Sequence, residues 1–289
     1  MEYTIKEYAE EISRCIPGSE IVETKKNNNV TCTGIKIAVN DEGETTHTLY
    51  VDGAFSAKIT VDMVVKEINN FYANMADLMP KRRDVMNIMS HYEKNRIRAY
   101  LINENMNKED DTPGINYLDL KIIFKVDLRD IDPDPFSNRT AVTTVSKDIL
   151  NAWDLTPDEL LKDAIDNMRP LIRPLNELIP LEAMEELVAS GCPEPVSLIP
   201  MYIISNRDLY YGASSILSPE ILDNLREDMI LIPSSVHEFI AVPASSYDET
   251  ADGIAAMIQE TNHSQVNPTE WLSTHPYYFD AQNKMIRIM

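Results

Sequence analysis

An α+β fold with mixed antiparallel sheets and packed helices is predicted from two observations. Segments with two-residue apolar alternation and segments with helical apolar spacing mix along the chain without a regular strand–helix–strand rhythm. Short polar turns join neighbouring alternating segments, as hairpins require.

The elements follow in order. Ile5, Tyr8, Ala9 and Ile12 recur at helical spacing, so a short amphipathic helix covers 3–15. Lys25–Asn29 is a polar turn. Val30–Val39 alternates as a strand and Thr46–Val51 returns beside it, with the turn at Asp41–Glu44. Thr60–Asp77 is the clearest helix: Val61, Val64, Val65, Ile68, Phe71 and Tyr72 make one apolar stripe behind a capping threonine. Val85–Ser90 extends it or forms a second short helix. Arg96–Asn103 reads as a strand, Asn105–Gly114 as a loop, and Tyr117–Leu128 as one strong strand with Leu118, Leu120, Ile122, Phe124 and Val126 on one face. Thr140–Val145 is another strand, and a helix starts near Ser146. Thr156-Pro-Asp-Glu159 has the hydroxyl, proline and glutamate of a capping box, so a helix runs to about Met168. Prolines 170, 174 and 180 interrupt, and an acidic helix is expected over 181–189. Strands are expected at 201–204, 210–213, 229–232 and 236–242, with turns at 206–208 and 233–235. Helices are expected at 218–225 and 248–261, and 277–280 should pair with 285–288. Gly191-Cys-Pro-Glu-Pro195 is the natural linker. It divides the chain into an N-terminal α+β lobe, 1–190, and a C-terminal α+β lobe, 191–289, packed together.

Charge narrows the function. The 289 residues carry a formal net charge of −21. The imbalance concentrates toward the end: residues 171–289 hold 17 acids and 5 bases, against 15 and 13 in residues 1–100. Such a surface repels phosphate backbones, so direct nucleic-acid binding is not expected, while a basic protein partner suits it. Solubility alone is a sufficient reason for acid. The three cysteines, Cys15, Cys32 and Cys192, form no CxxC pair, so neither a disulfide framework nor a zinc ribbon is expected. The opening residues carry no basic run followed by an apolar one, and no window approaches 18 apolar residues. A cytoplasmic protein with no membrane association is the expectation. With 8 glycines and no clustered ones, no phosphate-cradling loop and no cofactor is expected.

The candidate chemistry is sparse. Ser235, His237 and Glu238 suggest a hydrolase, yet no G-x-S-x-G elbow surrounds the serine, and side chains two apart on a strand stand parallel. The alternative is a Pro-Ser-Ser turn entering a strand. Asp130, Asp132 and Asp134 begin like a calcium loop, but its sixth and twelfth positions hold Pro135 and Ala141 where glycine and glutamate belong. His263 and His275 lack metal-binding spacing, so no metal is expected. Lys81, Arg82, Arg83, His91, Lys94, Arg96 and Arg98 form the one basic cluster; Tyr92 and Tyr100 lie among it, as in a nucleic-acid surface, but Asp84 and Glu93 dilute it. Tyrosines outnumber phenylalanines 13 to 6. Tyr202, Tyr210, Tyr211, Tyr277 and Tyr278, with Arg207, are the candidate interaction residues, because tyrosine buries area while keeping a polar tip. Half-buried sheet packing explains the same tyrosines.

Tyr211-Gly-Ala213, Leu231-Ile-Pro-Ser-Ser-Val-His-Glu238 and Asn262-x-Ser-Gln-Val-x-Pro268 carry a family resemblance, as do His91-Tyr-Glu-Lys-Asn-Arg96 and Tyr117-Leu-Asp-Leu120. Across nearly its whole length the chain resembles the bacterial domain-of-unknown-function family 5688. The resemblance implies one family unit, a cytosolic Firmicutes protein and a mobile element as its source. It brings no activity, cofactor or catalytic residue. The expected function is therefore a non-enzymatic protein-interaction or regulatory factor, in its sharpest form a nucleic-acid-mimicking inhibitor of a basic host or defence protein. The alternative is a hydrolase built on Ser235, His237 and Glu238.

Overall fold

A computed structural model describes residues 3–38, 46–75, 82–130, 142–177 and 200–289. The α+β expectation holds: helices pack on three antiparallel sheets.

The first unit is small. Helix α1 (Ile5–Cys15) opens with a complete capping box, in which Thr4 and Glu7 satisfy each other's backbone N–H. Strands β1 (Glu20–Lys25), β2 (Thr31–Ala38) and β3 (Thr46–Tyr50) form a sheet in that order. Helices α2 (Asp52–Ser56) and α3 (Val61–Met75) complete it. Tyr8, Ala9, Ile12, Ile35, Ile37 and Ile68 close a core of their own. Asparagines tie this unit to the rest. Asn28 donates from Nδ2 to the carbonyls of Pro268 and Trp271, each at 2.8 Å, and Asn107 Nδ2 donates to Asn28 Oδ1 at 3.0 Å. Asn28 and Asn29 are left-handed, with φ of 61° and 60°, a conformation asparagine tolerates better than most residues.

Helix α4 (Arg82–Met89) leads to strand β4 (Ile97–Asn103). Strands β5 (Gly114–Tyr117), β6 (Leu120–Asp127) and β7 (Val142–Thr144) follow, with β4 on one side of β6 and both β5 and β7 on the other. The expected single strand from 117 is in fact a hairpin: Leu118 turns at φ 60°, and Gly114–Tyr117 folds back on Leu120–Ile123. A two-residue turn at non-glycine positions leaves no mark in an alternation pattern.

Helix α5 (Lys147–Trp153) is capped by Ser146, and α6 (Pro157–Asp166) carries the expected Thr156–Glu159 box. A six-stranded sheet closes the fold. It contains β8 (Pro170–Pro174), β9 (Tyr202–Asn206), β10 (Met229–Ser235), β11 (Glu238–Pro243), β12 (Tyr277–Asp280) and β13 (Met285–Ile288), in the order β13-β12-β10-β11-β9-β8. Strand β8 has a proline at each end and lies at the sheet edge, where a missing donor is tolerated. Helix α7 (Pro219–Asn224) precedes β10, and α8 (Ala251–Gln265) packs through Ile254 and Ile258 on the face that carries Ile230 and Ile232.

Two expectations move. The turn placed at 233–235 lies at 236–237, because β10 runs through Ser235. The strand expected at 210–213 is a left-handed Tyr211, φ 50°, followed by a 3-10 turn over Gly212–Leu217. Strands 20–25 and 170–174 were not anticipated at all. The linker 191–195, the helix 181–189, Cys192, Asp132 and Asp134 lie outside the described residues. On either side of that stretch the chain shares one sheet, since β8 pairs with β9. It also shares one core, in which Leu101, Phe124 and Leu160 join Leu231, Phe239 and Phe279.

Candidate functional site

The alternation that builds this core also builds a site on the opposite face of the four-stranded sheet. Ile97, Ala99 and Leu101 of β4 and Leu120, Ile122, Phe124 and Val126 of β6 face the core. Their neighbours Tyr100, Ile102 and Ile123 form a separate apolar cluster with Val142 and Tyr211. Tyr211 arrives from the segment after β9 and stacks on Tyr100, ring centroids 4.5 Å apart and 14° from parallel. Lys125, the next residue on this face of β6, places its amine 4.9 Å from the Tyr100 centroid and 5.2 Å from the Tyr211 centroid. These are cation–π distances.

A cleft of about 510 Å³ opens above this floor. The turn after β1 supplies Lys26 and Asn27, the loop before β5 supplies Glu109 and Asp110, and Thr144 stands directly across the strand pair from Lys125. Lys25 is neutralised by Glu109 at 2.9 Å, and Lys26 lies over the Tyr50 ring at 4.0 Å. Lys125 differs: among the described residues it has rings beside it, but no carboxylate partner and no hydrogen-bond acceptor for its amine. Burial, reinforced by the positive charge of Lys26 and opposed by Asp110, pushes its pKa down to about 8. A titratable group shifted by desolvation inside a cleft marks a candidate functional site.

Tyr211 is held in place by His237. The His237 Nδ1 accepts the Tyr211 N–H at 2.9 Å, which puts the ring proton on Nε2, facing Glu270 at 3.5 Å. The imidazole stacks on Tyr210 (5.2 Å, 25°) and meets the edge of Tyr211 (5.3 Å, 74°). Close packing at Gly212 fixes the approach, because a β-carbon there would lie 2.2 Å from Ser205 Oγ and 2.4 Å from the Asn206 nitrogen. On the other flank, Arg129 bridges Asp127 (2.6 Å) and Asp208 (3.1 Å), and Arg98 reaches Asp127 at 2.8 Å. Burial works against the Asp127 charge, but the hydrogen bonds from Arg129 and the charge of Arg98 hold its carboxyl below the usual range.

The hydrolase constellation does not assemble. Ser235 Oγ accepts the His237 backbone N–H at 3.1 Å rather than meeting the ring, and His237 Nδ1 is already engaged by Tyr211. Glu238 accepts from Ser234 at 3.3 Å instead of orienting the histidine. A nucleophile needs its base within hydrogen-bond reach, and here both groups are committed to backbone. Of the interaction residues, only Tyr210 and Tyr211 gather at the cleft. Tyr202 packs half-buried against the core, and Arg207 is exposed. Tyr277 is 1% exposed and donates to Asp119 at 2.6 Å, so its side chain is closed to any partner. Tyr278 donates to Asp228 at 2.7 Å with Arg287 over its ring. The basic cluster is compensated in part: Arg96 pairs with Glu93 and Asp130, Arg98 with Asp127, and Arg83 approaches Asp84 at 3.9 Å. Among the described residues no three His, Cys, Asp or Glu side chains converge on a metal position, and no helix is long and apolar enough to cross a membrane.

A larger hollow, about 970 Å³, lies between α1 and the α2–α3 turn. Tyr3 donates to Glu11 and Tyr8 to the Ile59 carbonyl there, and its charged side chains Arg14, Lys58 and Asp62 are solvent-exposed, so the desolvated charge sits in the smaller cleft.

Sequence reasoning missed Lys125, and it placed Tyr100 with the basic cluster at 81–98 instead of with Tyr211. The signal was present in the strand at 120–127, whose second face reads Lys121, Ile123, Lys125, Asp127.

Residues 4–281 match a family model described as "Family of unknown function (DUF5688)". No curated protein and no solved structure matches the chain.

Proposed function

The chain belongs to that family of unknown function, and from this premise we propose that it is a non-enzymatic binding protein whose Lys125 cleft receives a small polar ligand. One observation carries the reading: a half-buried amine beside a stacked pair of tyrosines faces a cleft with no counter-ion of its own among the described residues. Such a charge is costly to hold, and an incoming acceptor recovers part of that cost. Ligand pockets combine an apolar floor with a few placed polar groups, and Tyr100 and Tyr211 beside Lys125 and Thr144 have that composition. Unpaired Cys15 and Cys32 support a cytoplasmic setting.

The test is reductive ¹³C-methylation of the lysines followed by NMR titration with a small-molecule extract of the native host. The Lys125 resonance should move saturably, and Lys125→Met should abolish ligand retention. Unchanged retention in Lys125→Met would sink the reading.

A second reading is favoured by Glu220, Asp223, Glu227, Asp248, Glu249 and Asp252, which are all exposed within the acidic last third. They would meet a basic protein, in the sharpest form as a nucleic-acid mimic. Salt-sensitive capture of one basic partner, released by competing DNA, is its expected signature. Capture indifferent to both salt and DNA would remove it.

A further inference from the structure

Resting on the ligand-binding reading of the cleft, we propose that Lys125 Nζ condenses with the carbonyl of a small 2-oxo acid or aldehyde acid and holds it as an imine. The amine stands on the cleft floor with the stacked pair of rings on one side, and its open approach is from the cleft. No carboxylate occupies its donors among the described residues, so nothing must be displaced before a carbonyl carbon reaches the nitrogen. Lys26, on the facing turn, is the cation placed to meet the ligand's carboxylate.

The step balances without a co-reactant. The Nζ lone pair forms the nitrogen–carbon bond while the carbonyl oxygen takes a proton, giving a carbinolamine. Loss of that oxygen as water, with the remaining amine hydrogen released, leaves the C=N bond. One water is produced and nothing is oxidised or reduced. A lysine with a pKa of about 8 is unprotonated in roughly one molecule in four at pH 7.5, against about one in a thousand for an ordinary lysine. Desolvation beside a second cation is a recognised route to an imine-forming lysine. Among the described residues, the charged and titratable groups around Lys125 are Arg98 and Tyr100 from β4, Asp127 from its own strand, Tyr211, and Lys25, Lys26, Glu109, Asp110 and Asp111 from the cleft walls.

The experiment uses the full chain with glyoxylate, and separately pyruvate, under sodium cyanoborohydride at pH 7.5. Hydride reduction converts any imine to a stable secondary amine, and peptide mass mapping reads each lysine. Lys125 should be alkylated at least about 50-fold faster than the exposed lysines of the map, given the roughly 200-fold difference in free amine between a lysine of pKa about 8 and an ordinary one. Acetaldehyde, which lacks the carboxylate, should keep the preference that comes from the free amine but lose the further gain that Lys26 gives glyoxylate. Modification spread over exposed lysines with Lys125 not favoured overturns the imine. The wild-type map needs no variant to fold, and Lys125→Arg adds a control that keeps the cation but removes the nucleophile. If glyoxylate shifts the Thr144 and Tyr211 resonances without forming an adduct, the imine falls and the binding cleft stands. If it does neither, both fall.

Discussion

Replacing Lys125 by methionine should stabilise the protein at neutral pH, by an amount that depends on pH in a calculable way. Lowering a lysine from about 10.4 to about 8 corresponds to roughly 3 kcal/mol of penalty on the charged form. Two ring contacts offset part of it, at about 0.5–1 kcal/mol each for a partly exposed cation. Burial therefore wins, and Lys125→Met should gain about 1–2 kcal/mol at pH 7. The unfolded chain keeps the ordinary lysine value. Between pH 8 and about 10.4 it holds a proton that the folded state has lost, so wild-type stability rises with pH relative to the variant. The penalty is complete below pH 8 and gone above about 10.4. Urea denaturation of both proteins at pH 7 and pH 10.5, followed by the fluorescence of Trp153 and Trp271, measures the difference. Background titration is common to the two chains and cancels, and burial lifts Tyr100 above the ordinary tyrosine range, so it keeps its proton in this window. A stability difference that does not change with pH, or a variant less stable than wild type at pH 7, would refute the desolvated-amine argument.

Two further predictions concern the supports of the cleft and of the fold. Gly212→Ala should cost about 2–3 kcal/mol and weaken ligand retention, because the new β-carbon meets Ser205 Oγ at 2.2 Å and a backbone nitrogen at 2.4 Å, and the relief must move Tyr211; a melt within a degree of wild type would contradict this. Asp119→Ala should cost more than Tyr277→Phe, about 3 against 1–2 kcal/mol, because Asp119 accepts from both Tyr277 (2.6 Å) and Ser273 (2.7 Å) and its loss strands two donors; the reverse order in urea denaturation would show that the carboxylate is not the anchor.

The parts of this chain that sequence reads well are those whose determinants are local. The Thr156-Pro-Asp-Glu159 box is complete within four residues, and the structure closes it with Glu159 Oε2 accepting from Thr156 at 2.9 Å. The inner face of β6 is legible for the same reason, since four alternating apolar or aromatic positions, Leu120, Ile122, Phe124 and Val126, need no partner to declare themselves. What failed was backbone left-handedness at non-glycine residues. Leu118 and Tyr211 both sit at positive φ, and each turned an expected strand into something else. Asn28 is left-handed too, but its polar turn already announced a reversal.

The site was half legible, and the missing half follows from one inference about the faces of a strand. Tyr210, Tyr211 and His237 stood out by type, and the structure does bring them together, though His237 positions Tyr211 instead of activating Ser235. Lys121 and Lys125 alternate with apolar residues, and that pattern ordinarily marks a face in water. Whether it meets water is decided elsewhere, by what the chain later lays upon it. Here the turn at Tyr211, fixed by the Gly212 approach and the His237 nitrogen, covers the face, and the turn at Lys26 walls it. A lysine that would be a solvated surface residue becomes a desolvated amine on a cleft floor. Its chemistry is written by three distant segments at once, so no window of sequence around Lys125 contains it.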